Sequence, residues 1–122
     1  MKYEWIDAYC LGKRGVTKDY QPAWEAVRYF LGGKMFAMQG GDKTGRPIFT
    51  MKLEPALNDL LREQYEAVVP GYYMNKVHWS SLYLDGDVPD EAVRRMLDKS
   101  YEAAFLALPK KTQREVAQDS AQ

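Results

Sequence analysis

Cys10 and His78 are the only cysteine and the only histidine in the chain, so thiol–imidazole chemistry would have to come from that pair. Cys10 shares an i, i+3, i+4 stripe with Ile6 and Tyr9 on a predicted helix, where cysteine behaves as a small buried hydrophobe. Apolar burial raises a thiol's pKa, so the spacing predicts an inert Cys10. His78 has no recognisable neighbour in sequence to orient it as a general base or to complete a metal site. Asp85, Asp87, Asp90 and Glu91 crowd together, but their spacing fits no calcium loop, and negative charge at a helix start accounts for them. Gly40 and Gly45 have the spacing of a phosphate-binding loop. Arg46-Pro47 follows where Lys and then Ser or Thr belong, and no helix opens behind them, so the segment reads as a connection between strands. The residues predict no catalytic set, no metal site and no cofactor. The chain reads as a non-enzyme.

The segment Pro70 to Leu84 (PGYYMNKVHWSSLYL) points elsewhere. It interleaves three tyrosines and a tryptophan with a lysine and a histidine, and it holds no acidic residue. Such a mixture suits base stacking combined with phosphate contact. The alternative is that several of these aromatics belong to the core or cover a sheet. Charge is uneven as well. Between Trp24 and Leu53, Arg28, Lys34, Lys43, Arg46 and Lys52 stand against Glu25 and Asp42, a surplus of three positive charges. Glu54 to Glu66 and Asp85 to Glu91 are acidic, which makes the predicted strands basic and the helix starts acidic.

These residues need elements to position them. A chain of 122 residues supports one domain, and at this size it buries roughly two-thirds of its unfolded surface. The 46% hydrophobic and 13% aromatic content is globular, and 17 basic against 17 acidic residues exclude phosphate binding by bulk charge. A lone cysteine, the lack of any apolar run near ~18 residues, and a start without a signal-peptide core predict a cytoplasmic protein outside the membrane.

The first helix is predicted over Tyr3 to Leu11, and the turn-rich stretch Gly12 to Pro22 is expected to be irregular. Trp24 to Gln39 reads as a β-hairpin turning at Gly32-Gly33. Leu31 should then face Lys34, Tyr29 face Phe36 and Val27 face Met38 on the core side, with Arg28, Phe30, Met35 and Ala37 outward. Ile48 to Leu53 alternates with Phe49, Met51 and Leu53 inward. Pro55 opens a helix to about Tyr65 on a Leu57, Leu60, Leu61, Tyr65 stripe, and Val69-Pro70-Gly71 breaks the chain. Trp79 to Leu84 is a strand with Trp79, Ser81 and Tyr83 on the solvent side. The last helix carries Val93, Met96, Leu97, Tyr101, Ala104, Phe105 and Leu108 and stops at Pro109. The whole is α+β: a two-layer sandwich of an antiparallel sheet with helices on one face. Residues 1–111 form one domain, and 112–122 form a polar C-terminal tail with almost nothing to bury.

The chain resembles the MmcQ/YjbR family over about residues 3–111. The resemblance is carried by GVTKDY (Gly15 to Tyr20), YFLGGKMFAM (Tyr29 to Met38), PGYYMNKVHW (Pro70 to Trp79), LDGDVPDE (Leu84 to Glu91) and LPKK (Leu108 to Lys111). It departs at Gln21-Pro22-Ala23-Trp24, where the family often has a Phe-Gly pair. The resemblance implies a CyaY-like, frataxin-like fold and DNA binding through a double-wing arrangement of β-elements; it brings no catalytic residues. Frataxins bind iron through an acidic first helix, and this one offers only Glu4 and Asp7.

Taken together, the residues and the resemblance predict a small DNA-binding domain of modest affinity. Lys34, Lys43, Arg46 and Lys52 would meet phosphates, and Asn75, Lys76, His78 and Trp79 would form a second contact. The alternative is a protein-interaction module on the open sheet face, anchored by Phe30, Met35, Trp79 and Tyr83.

Overall fold

The computed structural model describes residues 2–119. Strands β1 (Val16–Gln21), β2 (Ala26–Leu31), β3 (Lys34–Gly41), β4 (Pro47–Lys52), β5 (Val68–Pro70) and β6 (Trp79–Tyr83) form one six-stranded sheet in the order β1-β2-β3-β4-β6-β5. Every neighbouring pair is antiparallel. Helices α1 (Ile6–Leu11), α2 (Pro55–Gln64) and α3 (Asp90–Leu106) pack on one face, and α4 (Lys110–Asp119) follows them. This is the two-layer α+β architecture that the alternating strands and amphipathic helices predict. Among the described residues no helix is long and apolar enough to cross a membrane.

The core lies between sheet and helices. Tyr29, Leu31, Ala37, Phe49, Met51 and Leu82 from the strands meet Ile6 and Cys10 of α1, Leu61 of α2, and Val93, Met96 and Leu97 of α3. Burial pushes the Cys10 thiol up to about 12, the inert state its stripe predicts.

The β2–β3 turn has the positive φ angles that a tight two-residue turn requires, 58° at Gly32 and 80° at Gly33. The register beyond it differs from the expected one. Phe30 pairs with Met35, but Tyr29 pairs with Ala37, so Phe36 is the extra residue of a β-bulge. Phe36 and Ala37 both turn into the core, where Phe36 meets Tyr101 edge-on at 6.3 Å between ring centroids. Each later residue of β3 therefore changes face. Ala37, expected outward, is in the core, and Met38, expected inward, joins Ile48 and Thr50 on the helix-free face.

Two strands lie where the sequence suggests none. The stretch expected to be irregular contains β1, paired with β2 from Val16↔Leu31 to Gln21↔Ala26. It is an exposed edge strand, so its ladder hydrogen bonds hold it in place and no burial alternation marks it. Val68 to Pro70 makes a short strand that takes in Val69 and Pro70, where a break is expected, with proline on a sheet edge, where it is tolerated. On α2 the expected stripe is also altered. Leu60 is exposed, and Asn58 takes the buried position.

Beyond Pro109 the chain restarts as α4 instead of trailing away. Val116 belongs to the core cluster, and a Cβ on Gly15 would stand 3.0 Å from Val116 and 3.3 Å from Leu31. A Cβ on Gly32 would stand 2.8 Å from Leu108 and 3.1 Å from Thr112, so that glycine serves both the turn and the close approach of α4. Residues 120–122 of the expected tail lie outside the described residues.

Candidate binding cavity on the helix-free face

The eight residues expected to contact nucleic acid do not form one patch. Lys34 is exposed at the β2–β3 turn, and Lys52 is exposed at the end of β4 opposite Trp79. Lys43 and Arg46 are exposed in the β3–β4 connection, at the other end of β3 and roughly 24 Å away by strand geometry. Arg46 is also engaged. Its Nε donates to both oxygens of Asp85 at 2.9 and 3.0 Å, and its guanidinium lies 3.6 Å from the Tyr83 ring centroid. Other strand and loop cations are paired likewise: Arg28 with Asp19, Lys18 with Asp7 and Lys13 with Asp98.

The segment Gly71 to Trp79 builds a loop with the residues that had suggested a contact surface. The Asn75 side-chain oxygen accepts from the backbone of Val77 at 2.9 Å and His78 at 3.3 Å, and Lys76 Nζ donates to Gly71 O at 3.0 Å. Trp79, expected on the solvent side, is only 8% exposed, and a Cβ on Gly71 would stand 2.7 Å from its Cβ. It is therefore a packing residue and not an open stacking platform. His78 is exposed. The loop is fastened to α2 and β6. Asn58 Nδ2 donates to Leu53 O and Val77 O at 3.0 and 2.9 Å, and its Oδ1 accepts from Ser80 Oγ at 2.6 Å. Arg62 Nη2 donates to Lys76 O and Trp79 O, both at 2.6 Å.

The supposed open face is largely occupied too. Phe30, Met35 and Tyr83 are half-buried, and the Arg28 guanidinium sits 5.1 Å from the Phe30 ring centroid. Ala26, Met38, Ile48, Thr50 and Ser81 are buried on this helix-free side. The backbone of Tyr72 reaches across to donate to Ser81 Oγ at 3.1 Å, and that oxygen shares a 2.7 Å hydrogen bond with Thr50 Oγ1.

The fastened loop leaves Tyr73 and Met74 over a concavity of about 580 Å³, within the roughly 300–1,000 Å³ of ligand sites. Ala26, Met38, Gly40, Ile48 and Thr50 make its floor, and Gly40 leaves room where the facing strands carry side chains. Ala23, Trp24 and Glu25, from the β1–β2 connection, form one wall, and Gly41, Asp42 and Gly45 another. Asp42 holds that second wall, since its Oδ1 accepts from Thr44 N at 2.8 Å, Thr44 Oγ1 at 2.6 Å and Arg46 N at 3.0 Å. These bonds, with that to the Thr44 hydroxyl foremost, keep its carboxyl below the usual range. Glu25, at φ 50°, and Tyr73, at φ 61°, are the non-glycine residues of positive φ among those described, and both line the cavity. Nothing in the sequence marks them, because neither is a glycine or an asparagine.

An open antiparallel sheet with helices on one face and a cavity on the other defines a small α+β domain class. The YjbR family model matches residues 11–103, and the chain belongs to that family. It is 34% identical over 110 residues to the uncharacterized protein YjbR of Escherichia coli, covering 90% of this chain and 92% of that one. It is 33% identical over 102 residues to the uncharacterized protein YyaQ of Bacillus subtilis, covering 73% of this chain and 86% of that one. The crystal structure of Deinococcus radiodurans protein DR2400, a DUF419 domain, is similar at a TM-score of 0.81 and 25% identity, over 92% of this chain and 85% of that one. A Pseudomonas syringae protein shares the fold at a TM-score of 0.69 and 20% identity, over 85% of this chain and 99% of that one.

Proposed function

We propose that the chain is a non-catalytic binding protein that takes a small, largely apolar molecule in the cavity on the helix-free face. The observation that carries this reading is the meeting of Glu25 and Tyr73 at one cavity. Left-handed backbone costs a non-glycine residue roughly 1–2 kcal/mol, and it persists where the surroundings over-determine it, often at ligand sites. Here two segments distant in sequence each hold one such residue at the same rim.

The test uses the methyl resonances of Met38 and Met74 as reporters in a screen of small aromatic fragments. Binding at the cavity shifts these two methyls in the parent protein. Gly40→Val fills the floor, where an added Cβ makes ordinary contacts with Ala26 Cβ at 3.4 Å, Glu25 O at 3.7 Å and Ala26 Cα at 3.9 Å, so the variant keeps its fold and loses the response. A screen that moves neither methyl at millimolar fragment overturns the reading.

Nucleic-acid binding is the second reading. It is supported by Lys34, Lys43 and Lys52, which are exposed and make no ion pair among the described residues. Three phosphate contacts would give a log–log salt slope of about 2.7, and Lys43→Ala would reduce it by about one. Absence of binding to labelled single- and double-stranded DNA at low salt would remove this reading.

A further inference from the structure

We infer that the cavity selects organic cations, namely small molecules with an apolar body and an ammonium group. The inference rests on the cavity being the binding site. The charged residues that line it are Glu25 and Asp42, both acidic. Glu25 makes no side-chain hydrogen bond or ion pair among the described residues, and Asp42 spends only Oδ1 on its own loop. Each wall therefore carries an acidic residue with unused acceptor capacity, Asp42 lying within reach of the Arg46 charge.

Aromatic rings stand beside these carboxylates. Trp24 is 52% exposed and Tyr73 68% exposed, so each ring offers a face to an incoming group. The electron-rich face of such a ring attracts ammonium and guanidinium groups. Trp24 already shows this preference, with the Arg28 guanidinium 5.3 Å from its ring centroid. Arg28 is itself held by Asp19, through Nε at 2.8 Å and Nη2 at 2.6 Å. An ammonium placed between Glu25 and these rings gains charge attraction and ring contact together, while its apolar body covers Met38 and Ile48. An anion of the same shape meets two acidic residues in the lining, while the adjoining guanidiniums, Arg28 against Trp24 and Arg46 near Asp42, are already paired with Asp19 and Asp85, so the site disfavours it.

The experiment compares three ligands on one ring system at neutral pH: tryptamine, 3-methylindole and indole-3-propionate. Each is titrated while the Met38 and Met74 methyls are followed. Tryptamine should bind about tenfold more tightly than indole-3-propionate, with 3-methylindole between them. Glu25→Gln keeps the shape and removes the charge, so it should narrow that spread, as should added salt. Equal affinity of the three, or preference for the propionate, overturns the charge selection and leaves the cavity reading standing. Failure of all three to move either methyl overturns both.

Discussion

The two faces of the sheet are made by alternate residues of the same strands, yet they are finished differently. On the helix side, Phe49, Met51 and Leu82 are fully buried against three helices, with Tyr29 packed 5.7 Å from Phe49 between centroids. On the other side, the row Arg28, Met38, Thr50, Ser81 meets the Gly71–Trp79 loop at Ser81, and the row Ala26, Gly40, Ile48, Tyr83 ends under Arg46, which lies over the Tyr83 ring. That loop is held by side-chain hydrogen bonds from Asn58 and Arg62 and by the packing of Trp79. Apolar packing fills its space at near-crystalline density, whereas a loop fastened at a few points leaves a concavity where it does not reach. The helix face carries the stability and the loop face carries the opening.

Neighbouring residues of β4 break the comparison most directly. Phe49→Ala empties a helix-side position that is 0% exposed and should cost about 3–5 kcal/mol. Thr50→Val, on the loop side, keeps the volume and leaves Ser81 Oγ bonded to Tyr72 N, so it should cost no more than about 1 kcal/mol. Denaturant unfolding of both variants measures the contrast, and equal losses would mean that the loop side is also a packed core.

Asn58 links the two sides. It is 0% exposed, and it bonds Leu53, Val77 and Ser80 at once. Asn58→Ala should cost about 2–3 kcal/mol, because it strands polar partners that are then poorly solvated. It should also release the loop and shift the Met74 methyl more than any methyl of the helix-side core. A uniform loss with Met74 unmoved would show that Asn58 supports α2 alone.

A smaller effect belongs to the joint between α1 and the sheet. Hydrogen bonds from Lys18 and then Tyr29 lower the Asp7 pKa. A lowered folded pKa contributes stability above the unfolded carboxyl value of about 4, and the contribution is lost as pH falls through the folded one. The melting temperature should therefore fall on acidification below about pH 4, and Asp7→Asn should flatten that fall while lowering the value at neutral pH. Parallel acid curves for the two proteins would remove Asp7 from the account.

What could be read from the sequence followed the helix face. Phe49, Met51 and Leu53 alternate, Gly32-Gly33 announce a turn, and Val93, Met96 and Leu97 mark the inner stripe of α3, because burial writes itself as periodicity. β1 was invisible, since an exposed edge strand needs no alternation. The bulge at Phe36 was invisible because Phe36 and Met38 fit an uninterrupted strand equally well. The cavity was hardest to read. It depends on left-handed backbone at Glu25 and Tyr73, and on Asn75, Lys76 and Trp79 building a loop that their residue types made look like a contact surface.

Glu25→Gly probes the loop face alone, with the smallest expected change in stability. Glycine adopts φ 50° without the steric cost that glutamate bears there, a gain of roughly 1–2 kcal/mol. It also frees the unfolded chain, a loss of roughly 0.5–1 kcal/mol, so the net is a stabilisation between nothing and about 1.5 kcal/mol. The same substitution removes a carboxylate from the cavity rim. A slightly raised melting temperature combined with weaker tryptamine binding would separate the two faces as the comparison requires, since a residue that favours ligand at the expense of stability is serving the site. A lowered melting temperature would mean that the Glu25 side chain supports the fold, and the strain at this rim would then carry no argument for function.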